Sequence, residues 1–195
     1  MPIPNYQIWA EENETPHVCE LNECKGLDAM RFHALYQGES MKSKFPADAE
    51  FRMDPDFPDN TVLADTLNNI DHVIIGSERL KSFLEAQGAA ELEYLKVTIR
   101  DHKGKKAAQY FIAHPVGAID CIDHQASGSV FSRAVKTKVD KLKRLVLRPE
   151  TIDPDRKIFR VSGYPKAILV REDLALAIGK AFKGIKFKKL APKTK

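Results

Sequence analysis

Asp120, Cys121, Asp123 and His124 lie within five positions of one another in the segment AIDCIDHQASG. A thiol, an imidazole and two carboxylates are the parts of a nucleophile, its base and an orienting acid. Adjacent strand residues point to opposite faces, so Cys121 and His124 meet only if the chain turns between them. The reading the spacing favours is a strand end followed by an Asp-capped turn. A second group, His17, Cys19 and Cys24 in HVCELNEC, offers three soft ligands, but no fourth follows at zinc-site spacing. Buried thiols are the simpler reading. GxSxG, Walker, GxGxxG, HExxH and paired CxxC patterns are all missing. The sequence therefore predicts no catalytic residue, no metal and no cofactor.

Charge is the stronger signal. The net charge of +4 is the balance of two unlike halves. Residues 1–100 carry 18 acidic and 9 basic side chains, and residues 101–195 carry 9 acidic and 22 basic. Either different faces meet different partners, or the two halves attract each other in the fold. The acidic candidates for a binding surface are Asp48, Glu50, Asp54, Asp56 and Asp59, in the most proline-rich stretch of the chain. They read as a solvated loop or as a surface for a basic partner. At the other end, Lys180, Lys183, Lys186, Lys188, Lys189, Lys193 and Lys195 form a basic tail. Base reading or stacking needs Arg, Asn or aromatics among the charges, and only Phe182 and Phe187 are there. Nucleic acid is thus the less favoured partner, and a lysine-protected sheet edge with Phe187 in the core is preferred. Tyr6 and Trp9 read as buried aromatics of an opening strand.

The elements that must position these residues are clearest around residues 72–95. Residues 72–75 read as a buried β-branched strand, Ser77 as an N-cap, and Leu80, Phe83, Leu84 and Gln87 as the inner stripe of a helix with Glu78 in its first turn. Gly88 stops it, and Leu92 and Tyr94 alternate into a strand. The same order returns 94 residues later, with a strand at 167–170, Glu172 and Asp173, the stripe Leu174, Ala177, Ile178 and Ala181, then Gly184, Ile185 and Phe187. Either these are paired strand-helix-strand units or two amphipathic helices that merely look alike. Leu95, Val97 and Ile99 run on the opposite phase to Leu92 and Tyr94, which predicts a bulge. Residues 101–105 turn a hairpin into a strand at 109–113. Short strands are expected at 6–10, 129–131, 144–147 and 158–161, with an acidic turn from Glu11 to Glu14. Residues 15–62 are punctuated by Pro16, Gly26, Gly38, Pro46, Pro55 and Pro58 and predict loops, with a helix at 27–36.

These readings give an α+β fold with a mixed or antiparallel sheet, two strand-helix-strand units and an irregular N-terminal arm. The arm, residues 1–62, packs on the same domain as residues 63–195. At 195 residues and 43% apolar content one domain is expected. No apolar run spans a membrane and no signal peptide opens the chain, and the odd count of three cysteines fits reduced thiols, so a cytoplasmic protein is expected.

The phrases VIIGSERLKSFLEAQGA, ELEYLKV, IDHQASGS, RLVLRPETID, KIFRVSGYPKAILVREDLALAI and GIKFKKL, taken in this order, resemble the eleventh named immunity family of bacterial polymorphic-toxin systems. The repeated strand-Ser-Glu-x-Leu helix and the final Gly-x-x-Phe are the most telling, and the likeness covers about two thirds of the chain. Arg171 departs from the small hydroxyl or Glu of the family at the second helix start, which puts that N-cap in question. The resemblance implies a non-catalytic antidote that binds a cognate toxin C-terminal domain, often a nuclease delivered by type VI secretion or a similar contact-dependent route. Asp48, Glu50, Asp54, Asp56 and Asp59 would then steer toward its basic cleft. The rival from another class is a nucleic-acid-binding or regulatory module using the basic second half. A third is a hydrolase built on Cys121 and His124.

Overall fold

The computed structural model describes residues 4–10 and 12–190. Glu11, Lys193 and Lys195, named above, lie outside the described residues. In chain order the elements are β1 (Tyr6–Trp9), β2 (Glu20–Lys25), α1 (Ala29–Gln37), β3 (Glu50–Met53), β4 (Thr66–Asn69) and β5 (Ile75–Gly76). Then come α2 (Glu78–Ala86), β6 (Leu92–Arg100), β7 (Lys106–Pro115), α3 (His124–Ser127), β8 (Val130–Phe131) and β9 (Val139–Lys141). The chain ends through β10 (Ile158–Arg160), β11 (Ile168–Arg171), α4 (Glu172–Ala181) and β12 (Phe187–Lys189). This is an α+β fold built mostly of strands.

Six strands close a barrel in the order β2-β3-β6-β7-β5-β4. Two of its seams are parallel, β2 with β4 and β3 with β6, so the sheet is mixed. A second sheet, wholly antiparallel, runs β10-β11-β1-β12, and β8 with β9 forms a separate ribbon. Residues 15–62, expected as loops with one helix, do hold that helix, capped by Asp28, whose side chain accepts from the Arg31 amide at 2.9 Å. They also hold β2 and β3, two barrel staves. Both strands are short, β2 carries a register shift between Leu21 and Glu23, and a parallel seam leaves no hairpin turn to read. That is why period alone misses them.

Three cores follow from strand alternation. Inside the barrel, Leu21, Phe51, Leu67, Ile75, Leu95, Val97, Ile99 and Ile112 converge, with Leu35 of α1 and Met41 among them. Between barrel and sheet lie both long helices: Leu80 and Leu84 of α2 and Leu174, Ala175 and Ile178 of α4 pack with Leu92 and Ala113 of the barrel and with Trp9, Ile158, Ile168 and Val170 of the sheet. The far face of the sheet carries Tyr6, Phe159 and Leu169 against Cys121, Ile122, Val139, Leu145 and Ile152.

The phase change along β6 now has a cause other than the expected bulge. Its register with β7 is unbroken from Leu92 to Ile99, and the only shift falls between Ile99 and Arg100. Leu92 and Tyr94 face the helices while Leu95, Val97 and Ile99 face the barrel interior, so both sides of one regular strand are apolar. Glu93 shares the inward parity near the barrel end. There it accepts from the Ser40 hydroxyl and from the Met41 amide at 2.7 Å.

The two strand-helix-strand units have the same local topology. β5 and β6 both pair antiparallel with β7 between them, and β11 and β12 both pair antiparallel with β1 between them. Each unit is therefore a parallel β-α-β split by one inserted strand, one unit in each sheet. Ser77 caps α2 as expected, accepting from the Leu80 amide at 3.1 Å. Arg171 gives α4 no side-chain cap and instead grips Asp173 in the first turn through Nε and Nη2, each at 2.8 Å. Of the expected strand at 72–75 only Ile75 is in the ladder, joined by Gly76, because the chain turns at His72 with φ of 50°. Residues 144–147, expected as a strand, contribute one bridge, Leu147 to Ile122.

The end of α1 shows how little room the turns leave. Gly38 is in the left-handed region, its carbonyl accepts from the Gly117 amide at 2.8 Å, and a Cβ there would stand 2.6 Å from the Ala118 nitrogen. Gly104 has a similar φ of 76° with nothing within 4 Å. Gly104→Ala should thus cost only the left-handed penalty of about 1–2 kcal/mol. Gly38→Ala should cost at least about 1 kcal/mol more because backbone must move. Urea midpoints of the two variants check this, and equal losses would place the Gly117–Ala118 backbone elsewhere.

Candidate partner-binding surface

The reactive constellations resolve into structure. Cys121 is fully buried in the third core, and burial pushes its thiol up to about 12. His124 lies in α3, capped by Asp123, and its Nδ1 is 3.1 Å from the Ser129 hydroxyl while its ring stacks near Phe131 at 4.9 Å. The Asp-capped turn is therefore present, and thiol and imidazole have different neighbours. Cys19 points into the barrel core with a thiol also pushed up to about 12 by burial, whereas His17 is exposed at a left-handed turn. Cys24 is half-buried, with the same upward shift from burial. No group of three His, Cys, Asp or Glu side chains among the described residues could hold a metal ion.

The basic tail is a sheet edge. β12 is the last strand of its sheet, with Lys188 and Lys189 exposed and Phe187 edge-on to Trp9 at 5.2 Å. Lys186 is paired with Glu14 at 3.1 Å.

The five acidic candidates do not form one patch. Asp48 and Glu50 lie at the start of β3 and Asp54, Asp56 and Asp59 beyond its end, and four residues of strand span roughly 13 Å. Glu50 is also already engaged, held on both oxygens by Nε and Nη2 of Arg100, which keep its carboxyl below the usual range. Asp48 is exposed.

Asp54, Asp56 and Asp59 share one loop of defined shape. The Asp54 amide donates to the Glu20 carbonyl at 2.8 Å, and its carboxylate accepts from the Asp56 amide at 2.9 Å. Phe57 turns back to Asp54 and Asn60 to Phe57 through backbone bonds of 3.1 and 3.0 Å. The loop returns to the barrel where Val62 donates to the His17 carbonyl and its own carbonyl accepts from Cys19. Pro55 and Pro58 fix φ on either side of Phe57. None of the three carboxylates pairs with a cation among the described residues. Phe57 stands 49% exposed between them, and Val62 and Leu63 are each 39% exposed. An exposed apolar side chain flanked in sequence by unpaired carboxylates on a pinned loop suits a positively charged protein surface. Phe57 is the residue the sequence reading missed. Its signal was there in Asp-Pro-Asp-Phe-Pro-Asp, a large aromatic where a merely solvated loop has no use for one.

A family model described as "Immunity protein family (Imm11)" matches residues 5–192 of the chain. No curated protein matches it.

If Cys121 were a working nucleophile it would have to be accessible and ionisable. Native protein treated with a disulfide reagent at pH 8 should instead label only at Cys24, well over tenfold more slowly than a free thiol, and at all three cysteines in guanidinium. Rapid native labelling of Cys121 would restore the hydrolase reading.

Proposed function

The chain belongs to the Immunity protein family, and from that premise we propose that it neutralises a cognate antibacterial toxin by covering its working surface, breaking no bond itself. The toxin in this reading is a nuclease domain encoded beside it, delivered by type VI secretion or a similar contact-dependent route and met in the cytoplasm. The observation that carries the reading is the pinned loop of Asp54, Asp56 and Asp59 around exposed Phe57. A nuclease cleft must be basic to hold phosphates, so a carboxylate-bearing loop competes for the same charges. Phe57 then supplies the desolvated centre that slows release. Asp48 and Glu50 stand at the other end of β3 as a lesser contact, Glu50 being already matched by Arg100.

A rival reading takes the ribbon of β8 and β9 as a nucleic-acid contact. Arg133, Lys136, Lys138 and Lys141 lie on or beside it with Phe131 exposed. Retention on duplex DNA with steep salt dependence supports that reading, and absence of retention supports the first.

Co-expression with the adjacent toxin domain should give a co-eluting complex and protect cells. Replacing Asp54, Asp56 and Asp59 with Lys should lower the association rate at low salt by about tenfold or more, with a smaller change in dissociation. Phe57→Ala should act the other way, on dissociation. Stopped-flow and surface-binding kinetics separate the two, and wild-type rates in both variants would remove this loop from the interface.

A further inference from the structure

Arg160 is 1% exposed at the end of β10, on the face of the sheet that also carries Ile158 and looks toward the barrel. Its Nη1 donates to the Pro165 carbonyl and, at 3.1 Å, to the His72 carbonyl, and the guanidinium lies 5.6 Å from the Tyr36 ring. No carboxylate among the described residues pairs with it. Burial brings its pKa down to about 10, so at neutral pH it remains a cation in a poorly solvated place. Burial also raises the carboxyl of nearby Asp71, and Arg160 is not among the groups offsetting that rise.

Three other arginines show what the unmatched part of this side chain does elsewhere in the molecule. Arg79, Arg100 and Arg171 each present the Nε and Nη2 edge to a carboxylate, Asp65, Glu50 and Asp173 in turn. On Arg160 that same edge donates to no acceptor among the described residues. The guanidinium is too deeply buried for a partner's carboxylate to take that fork, but its unmatched charge favours an anion close by.

The three groups that hold the guanidinium, Tyr36, His72 and Pro165, also line an open cleft of about 570 Å³ between α1, the ribbon and the β10–β11 turn. His72 is one of two non-glycine residues at positive φ among the described residues, and Arg160 bonds its carbonyl, so the cleft floor is held in an uncommon backbone conformation. Lys138 and Lys166, both exposed, stand in its wall, and Asp140 is the only acid lining it among the described residues. The field of the cleft is therefore positive, on a protein whose acidic loop lies elsewhere.

We propose that this cleft receives an acidic side chain of the bound toxin, drawn in by Lys138 and Lys166 and answering the charge of Arg160 behind the floor. The inference rests on the immunity reading and adds a second contact of opposite sign to the acidic loop. A partner that must present a basic patch and a carboxylate at a fixed spacing is one that few other proteins imitate.

The test compares two charge-reversed pairs in the full chain by surface-binding kinetics with the purified adjacent toxin domain. Lys138→Glu with Lys166→Glu should weaken binding by tenfold or more through faster dissociation. Lys136→Glu with Lys141→Glu changes the net charge equally outside the cleft and should weaken it less than twofold. Equal affinity of the first pair and wild type, or equal losses in both pairs, overturns the assignment. So does a melting-temperature rise in inorganic phosphate that the first pair abolishes while toxin affinity is kept, because the occupant is then a free anion. Failure of wild-type protein to bind the toxin at all removes the immunity reading itself, and this assignment with it.

Discussion

Everything else in the molecule leans on one hairpin that serves two cores at once. β6 and β7 form the longest ladder, and β6 offers apolar side chains to both sides, Leu95, Val97 and Ile99 to the barrel interior and Leu92 with Tyr94 to the helices. A strand buried on both faces cannot slip by one residue without exposing one set and burying Lys96 with the other. Its register therefore fixes where β3 and β5 attach on the barrel side and where α2 packs outside. The second sheet is docked onto that outer face through α2 and α4, so the barrel is the reference frame for the whole chain.

How much of this was legible from sequence follows from which features are local. Both long helices, the Ser77 cap, the Gly88 stop, the β6–β7 hairpin and the buried aromatics Tyr6 and Trp9 were readable because each depends on neighbours within a turn or two, whereas α4 ends at Phe182, ahead of the expected Gly184. β2 and β3 were not, because a parallel seam is formed with partners about fifty residues away and leaves no turn signature. The likeness of the two strand-helix-strand units was visible at its helices, and β7 was legible as a hairpin return, but the strand inserted in the second unit was not, since β1 comes from the far end of the chain. The acidic candidates were read as one cluster because they are close in sequence; strand β3 separates them in space. Arg160 gave no sign at all. An Arg two positions after a buried Ile looks like an alternation error until the carbonyls of His72 and Pro165 are seen around it.

The two charged surfaces are different kinds of object. The loop of Asp54, Asp56 and Asp59 is exposed, turned by prolines and tied to the barrel at both ends, so its charges act at long range and are weakened by salt. Arg160 is wrapped in protein, where screening is poor and a mismatch is costly. A surface of the first kind governs how quickly partners meet, and one of the second kind governs which partner stays.

The sheet order carries a last consequence. β1, which precedes every barrel strand, is zipped between β11 and β12, which follow all of them. The barrel, whose staves all lie before residue 116, can assemble before β11 and β12 have been made, but β1 must wait for them with Tyr6 and Trp9 uncovered. A copy interrupted or clipped between the barrel and β11 would thus keep its staves but leave Tyr6 and Trp9 as aromatic surface for the quality-control machinery to find.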